Sequence, residues 1–156
     1  MSTAQQTVDH SALKVNQTGI IVTVLVAVIG SAFVRPLIWL IPLLAIVLLL
    51  GTFVPQLALF KQLYFQVLKP SGIVKPRPVQ DRPEPHNFAQ GLGGVFLAVS
   101  TALLYLATPT YGAIFPVLGF AIALLVAVLA FVNLAFGYCL GCQIYYQLGK
   151  RGLIKA

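Results

Sequence analysis

The sequence predicts an all-α polytopic membrane protein: four transmembrane helices forming two helical hairpins, joined by a basic, proline-rich loop. Three observations lead there. Of 156 residues, 59% are apolar and only 8% charged, whereas a soluble domain carries about 25% charged residues. The charge-free runs are long: 20 residues over 15–34, 25 over 36–60 and 63 over 87–149. About 20 residues of helix cross a ~30 Å hydrocarbon core, so the first two runs are one span each and the third is two. Finally, the charged residues cluster in the segments between these runs. This composition excludes a soluble enzyme or binding domain, and its apolarity excludes a disordered chain.

The elements run in order along the chain. Residues 1–14 form an N-terminal tail, and 15–54 a first hairpin with spans near 15–34 and 37–54, turned at Arg35-Pro36, with Trp39 near the interface. Gly30-Ser31-Ala32 resembles a signal-peptide cleavage site, but no basic segment precedes Lys14 and the apolar run exceeds the usual 7–15 residues, so a retained span is expected. Over 55–69, Phe60, Leu63, Tyr64, Val67 and Leu68 recur at helical spacing, with Gln62, Gln66 and Lys69 on another face. That predicts a short amphipathic helix, lying on the lipid surface or docking a partner. Residues 70–86 contain five prolines, which predicts an extended spacer between the hairpins, or a strap along another protein.

The second hairpin, 87–148, has spans near 88–107 and 114–138 separated by Thr108-Pro109-Thr110-Tyr111-Gly112, the last span continuing as helix toward Leu148. A basic tail, 149–156, closes the chain. Ala89 and Gly93, and later Gly137 and Gly141, have the small-xxx-small spacing of close helix contacts. Asn133 reads as an interhelical amide. Asn16-Gln17-Thr18-Gly19 is faintly echoed by Asn87-Phe88-Ala89-Gln90-Gly91, each opening the first helix of a hairpin.

With four spans, both termini and the middle loop share one side. Nine of the ten basic residues lie there, Arg35 being the exception, and the positive-inside rule makes that side cytoplasmic. The expected location is the bacterial cytoplasmic (inner) membrane, with lipid and other integral membrane subunits as partners. No aromatic-rich basic module accompanies the charge, so nucleic acid is not expected.

The residues most able to carry chemistry are His10, His86, Cys139 and Cys142. The cysteines form a C-x-x-C in the run Phe136-Gly137-Tyr138-Cys139-Leu140-Gly141-Cys142. With that run, the step His86-Asn87-Phe88-Ala89-Gln90-Gly91, the start Asp9-His10 and the stretches Gly51-Thr52 and Leu59-Phe60, the chain resembles the bacterial membrane proteins grouped as domain of unknown function 4395 over about residues 8–148. The resemblance implies the four-helix architecture and the C-x-x-C as a family feature. It implies no reaction.

Pro116 and Cys139 are separated by 22 residues, roughly 33 Å of helix. The pair is therefore expected at the cytoplasmic end of a continuous fourth helix. Four-helix, quinone-linked thiol oxidases resemble this outline, but their reactive pairs face the oxidising compartment. On the cytoplasmic side a stable disulfide is disfavoured, and a pair inside a helix lacks the N-terminal field that activates a thiol. Three readings stay open: the cysteines are small packing residues; they are a redox pair; or, with His10 and His86 at the same face, they form a Cys₂His₂ zinc site.

No ionisable residue lies well inside a span, which disfavours a pump or proton-coupled transporter. There is no carboxylate pair and no Ser-His-Asp set. The expectation is a non-catalytic accessory or scaffold subunit packing against larger membrane partners, in an electron-transfer complex. The alternative is a membrane thiol-redox or sulfur-handling protein acting through Cys139 and Cys142.

Overall fold

The computed structural model describes residues 6–106 and 112–153. Four helical segments are long and apolar enough to cross a membrane: His10–Gly30, Arg35–Phe53, Pro83–Tyr105 and Ile114–Phe136. These are α1 (His10–Gly30), a 3₁₀ turn (Arg35–Trp39) leading into α2 (Leu40–Phe53), α4 (Pro83–Tyr105) and α5 (Ile114–Phe136). Shorter helices α3 (Leu59–Leu63) and α6 (Leu140–Lys150) lie at one end of the bundle with a ribbon of β1 (Gln6–Asp9) and β2 (Pro78–Asp81). The expected turn at 108–112 falls mostly outside the described residues; Gly112 is described, at φ +64°.

The helix boundaries have local causes. α1 begins at His10 rather than residue 15 because Asp9 is extended and its Oδ1 accepts from the Ser11 N–H at 3.0 Å. α4 begins at Pro83, so Pro83 and Pro85 belong to its first turn rather than to a loop. A first-turn proline lacks only an N–H that had no intrahelical partner.

α5 does not run on toward Leu148. It stops at Phe136, where Gly137 takes a left-handed conformation (φ 68°) that a residue with a Cβ rarely adopts, and the chain restarts as α6 at Leu140. The pair Gly137/Gly141 therefore does not lie on one helix. Gly141 still mediates a close contact: a Cβ there would stand 2.5 Å from the Ala89 Cβ and 2.7 Å from the Ala89 Cα. That approach seats α6 against the start of α4.

The amphipathic segment is also broken. Residues 55–69 form a 3₁₀ turn (Pro55–Leu57), α3, and a π-helical turn (Tyr64–Leu68). The anticipated apolar face splits: Tyr64 is fully buried while Leu63 and Val67 are exposed. A π turn widens the helix and rotates the side chains beyond it. Here the Tyr64 hydroxyl donates to Asp9 Oδ2 at 2.8 Å, directed inward.

The proline-rich stretch folds back on the chain's own N-terminal segment. β1 and β2 pair antiparallel, Gln6 opposite Asp81 and Asp9 opposite Pro78. The Ser11 hydroxyl donates to the Lys75 carbonyl at 2.7 Å, and the Arg77 N–H donates to Asp9 Oδ1 at 3.0 Å. Asp9 thus ties three segments together. Burial raises its carboxyl pKa, but the bonds from Arg77, Tyr64 and Ser11 outweigh it and hold the group below its usual range.

In the bundle, α2 packs on α4, α4 on α5 and α5 on α1. The core is built around Val24, Ile41, Leu44, Leu48, Leu97 and Val126, with Ala27, Ala45, Ala123 and Ala127 letting the backbones approach. Gly94 lies against Leu49, and the buried Ser100 hydroxyl donates to the Gly119 carbonyl at 2.7 Å. Large apolar side chains such as Val22, Ile46, Val99, Leu125 and Val128 are exposed on the flanks, as a lipid-facing surface requires.

Candidate thiol–imidazole site

At the end of the bundle that carries the ribbon, four elements bring Asp81, His86, His10 and the two cysteines together. Cys139 and Cys142 are joined by a disulfide. The sequence places the pair inside a continuous helix, away from any helix start. The structure corrects this. Cys139 is the N-cap of α6, extended at φ −93° and ψ 99°, and its sulfur accepts from the Cys142 N–H at 3.2 Å. The cause is Gly137, whose left-handed turn ends α5 two residues earlier. A sulfur at a helix N-terminus lies where unpaired N–H groups and the helix dipole favour negative charge.

The two sulfurs differ in access. Cys142 is buried at 8% exposure, Cys139 only half-buried. Behind Cys142 stands His86, from the first turn of α4, with Nδ1 3.7 Å from the Cys142 sulfur. The other ring nitrogen, Nε2, is 2.9 Å from Asp81 Oδ2, at the end of β2. A proton on Nε2 donated to the carboxylate leaves Nδ1 with its lone pair toward the sulfur. Asp81, His86 and Cys142 thus form a linear series of carboxylate, imidazole and sulfur. Burial raises the Asp81 carboxyl pKa, but hydrogen bonds from His86 and the Arg82 N–H, with the field of the His86 ring, outweigh this and leave it below its usual range. Asp81 is the anion of the series.

The four residues considered together for zinc divide into two groups. His86, Cys139 and Cys142 have ligand atoms within 4.8 Å of one another, and so do His10, Asp81 and His86. His10 stands edge-on to His86, with ring centroids 6.1 Å apart. Its Nε2 is 3.4 Å from Asp81 Oδ2, buried and without a well-aligned hydrogen bond. His10 therefore approaches the carboxylate, and His86 is the histidine at the sulfurs.

Below the pair lies a cavity of about 370 Å³, walled by α1, α4 and α5 and roofed by the start of α6. Cys139 and His86 reach its upper wall, and Leu13, Ile20, Phe96 and Leu129 make much of the remainder apolar. Asn16, Gln17, Gln90 and Asn133 supply its amides. Gln90 donates to the Leu48 carbonyl at 3.1 Å, so its amide nitrogen is engaged. Asn133, expected as interhelical glue, instead lines this cavity, and its side chain has no hydrogen bond to another described residue.

Sequence reasoning missed Asp81, Asn16 and Gln90 as parts of a site. The spacing Asp81–His86 put the acid five positions before the histidine, but only the β2-to-α4 corner turns that spacing into contact. The echo between Asn16-Gln17 and Gln90 reads only as two similar helix openings, and it gives no sign that these amides line one cavity.

The fold and this arrangement define a four-helix membrane protein with a cysteine pair at one end of its bundle. The chain belongs to the family described as a domain of unknown function, DUF4395, whose model matches residues 8–150. No curated protein and no solved structure matches the chain.

Proposed function

We propose that the protein is a membrane thiol–disulfide exchange protein acting through Cys139 and Cys142, with the site on the cytoplasmic face of a bacterial inner membrane. The observation that carries this reading is the closed pair at the N-terminus of α6, with His86 3.7 Å from the Cys142 sulfur and Asp81 behind it. The orientation rests on eight of the nine basic residues among those described belonging to the segments at the same end as the pair, Arg35 being the exception. A disulfide on a reducing face is characteristically transient, catalytic or redox-sensing. Electron transfer, in this reading, is the passage of electron pairs through two sulfurs, and it requires no larger complex.

The half-buried Cys139 is the entry point. A thiolate of a dithiol substrate attacks the Cys139 sulfur, forming a mixed disulfide. The bond to Cys142 breaks and its electron pair leaves on the Cys142 sulfur, which is protonated by His86 Nδ1 after that nitrogen has taken up the proton the substrate thiol released on becoming a thiolate. The substrate's second thiolate then displaces Cys139. The substrate loses two electrons and two protons, and the pair gains them as two thiols.

The test is to trap the intermediate. In Cys142→Ser the freed Cys139 should attack a small disulfide such as glutathione disulfide, releasing one glutathione and keeping the other as a stable mixed disulfide, seen as a mass increase on the intact protein. Cys139→Ser should capture far less, its remaining sulfur being buried against His86. Equal labelling of both variants, or of neither, contradicts the assignment. Stoichiometric zinc on the reduced wild-type protein, lost in His86→Ala, would replace this reading with a metal site.

A further inference from the structure

The cavity beneath the cysteine pair has features that thiol exchange does not use. Its volume, about 370 Å³, falls within the range of about 300–1,000 Å³ typical of small-molecule sites. It lies among the spanning helices, beneath the start of α6. Asn16 lines it about two turns into α1. The residue is only 7% exposed, and no hydrogen bond joins its amide to another described residue. Buried amides are ordinarily satisfied, and a roomy polar spot calls for a water or a ligand group. Gln17 and Asn133 supply further amides without hydrogen bonds to described residues. At the roof stand Cys139 and His86, the sulfur and the proton carrier of the site above.

We infer that the cavity binds a lipid-soluble quinone, which reoxidises the Cys139–Cys142 dithiol. This inference rests on the thiol-exchange reading for its chemistry but not for its binding site. The ligand class follows from three requirements. The walls demand an apolar body with a tail at home in lipid. The Asn16 amide NH₂ can donate to a hydrogen-bond acceptor such as a ring carbonyl. A closing dithiol releases two electrons and two protons, and a quinone accepts that number of each. In the balanced step, the sulfurs of Cys139 and Cys142 join and their two S–H bonds break. The electron pair reduces the quinone and the two protons go to its oxygens, the Cys142 proton by way of His86 Nδ1. The products are one disulfide and one hydroquinone.

Two substitutions probe the cavity without touching the pair. A Cβ at Gly93 would meet only ordinary contacts, the Val126 Cγ1 at 3.8 Å and the Leu48 Cδ1 at 3.9 Å, so Gly93→Leu is accommodated at its root and extends into the space. Asn16→Leu removes the unpartnered amide. The experiment uses the full chain in lipid nanodiscs. The oxidised protein is photolabelled with an azido-quinone, with decyl-ubiquinone as competitor, and the labelled peptides are mapped by mass spectrometry. The dithiol form is then mixed anaerobically with decyl-ubiquinone, and quinone absorbance is followed alongside thiol content.

The expected results are competed labelling on the α1 and α4 segments that wall the cavity, and one quinone consumed per disulfide formed. Both variants should lose at least tenfold in labelling and quinone reduction, while exchange with soluble glutathione stays within twofold of wild type. Uncompeted labelling, label elsewhere, only a lipid acyl chain retained, or quinone reduction unaffected in both variants would overturn the inference while leaving thiol exchange standing. Competed labelling in the cavity without any thiol exchange would overturn the exchange reading and, with it, the electron-transfer half of this inference.

Discussion

Replacing His86 with alanine should slow opening of the Cys139–Cys142 disulfide by about 10²–10⁴-fold, the usual worth of a positioned proton-transfer group. The imidazole stands 3.7 Å from the Cys142 sulfur, the only sulfur of the pair that is buried and so most in need of a proton when it leaves. Water cannot readily substitute, since the His86 side chain is itself only 16% exposed. Asp81→Asn should have a smaller effect in the same direction. It keeps the shape but removes the anion that orients the ring through Nε2. The measurement is the rate of disulfide reduction by a soluble dithiol at fixed thiolate concentration, quenched by acid and read by alkylation. A helical circular-dichroism spectrum matching wild type serves as the folding control. A rate for His86→Ala within twofold of wild type would remove His86 from the chemistry.

Gly141→Ala should have the second large effect, on structure first. The new Cβ would stand 2.5 Å from the Ala89 Cβ and 2.7 Å from the Ala89 Cα, and a backbone atom cannot swing aside. Overpacking of this kind costs about 1–3 kcal/mol, and here the simplest relief is for α6 to lift off α4. Since His86 is on α4 and Cys142 on α6, the same displacement separates imidazole from sulfur. The variant should therefore melt lower and also open its disulfide more slowly. Adding Ala89→Gly should recover only part of both losses, because the Ala89 Cα is itself within the clash. A Gly141→Ala protein with unchanged melting and unchanged rate would mean that the α4–α6 contact is not what aligns the site.

The parts of the fold set by long-range composition were legible in the sequence. Apolar runs between clusters of charge located four spans, because hydrocarbon tolerates little else. What remained hidden depended on single backbone positions. Nothing in the apolar periodicity shows that Gly137 turns left-handed, yet that one residue converts a mid-helix C-x-x-C into a pair that begins α6. Likewise Pro83 and Pro85 read as spacer, although a proline is equally at home in the first turn of a helix. Tyr64 looked like one member of a lipid-facing stripe until Asp9, 55 positions earlier, gave its hydroxyl a partner. The candidate site was half legible. Residue type singled out both cysteines and both histidines, and topology put them at one end. Their division into His86 beside the sulfurs and His10 beside Asp81 came from the β1–β2 ribbon, a pairing of two short segments that carry no strong strand signal.

The most direct measurement is the covalent state of Cys139 and Cys142 in membranes quenched with acid, alkylated and weighed as intact protein. The account predicts a pair found joined, opening to two alkylated thiols on exposure to a dithiol and closing again once the dithiol is removed. Two thiols under every condition, or a bond that no dithiol opens, would contradict it.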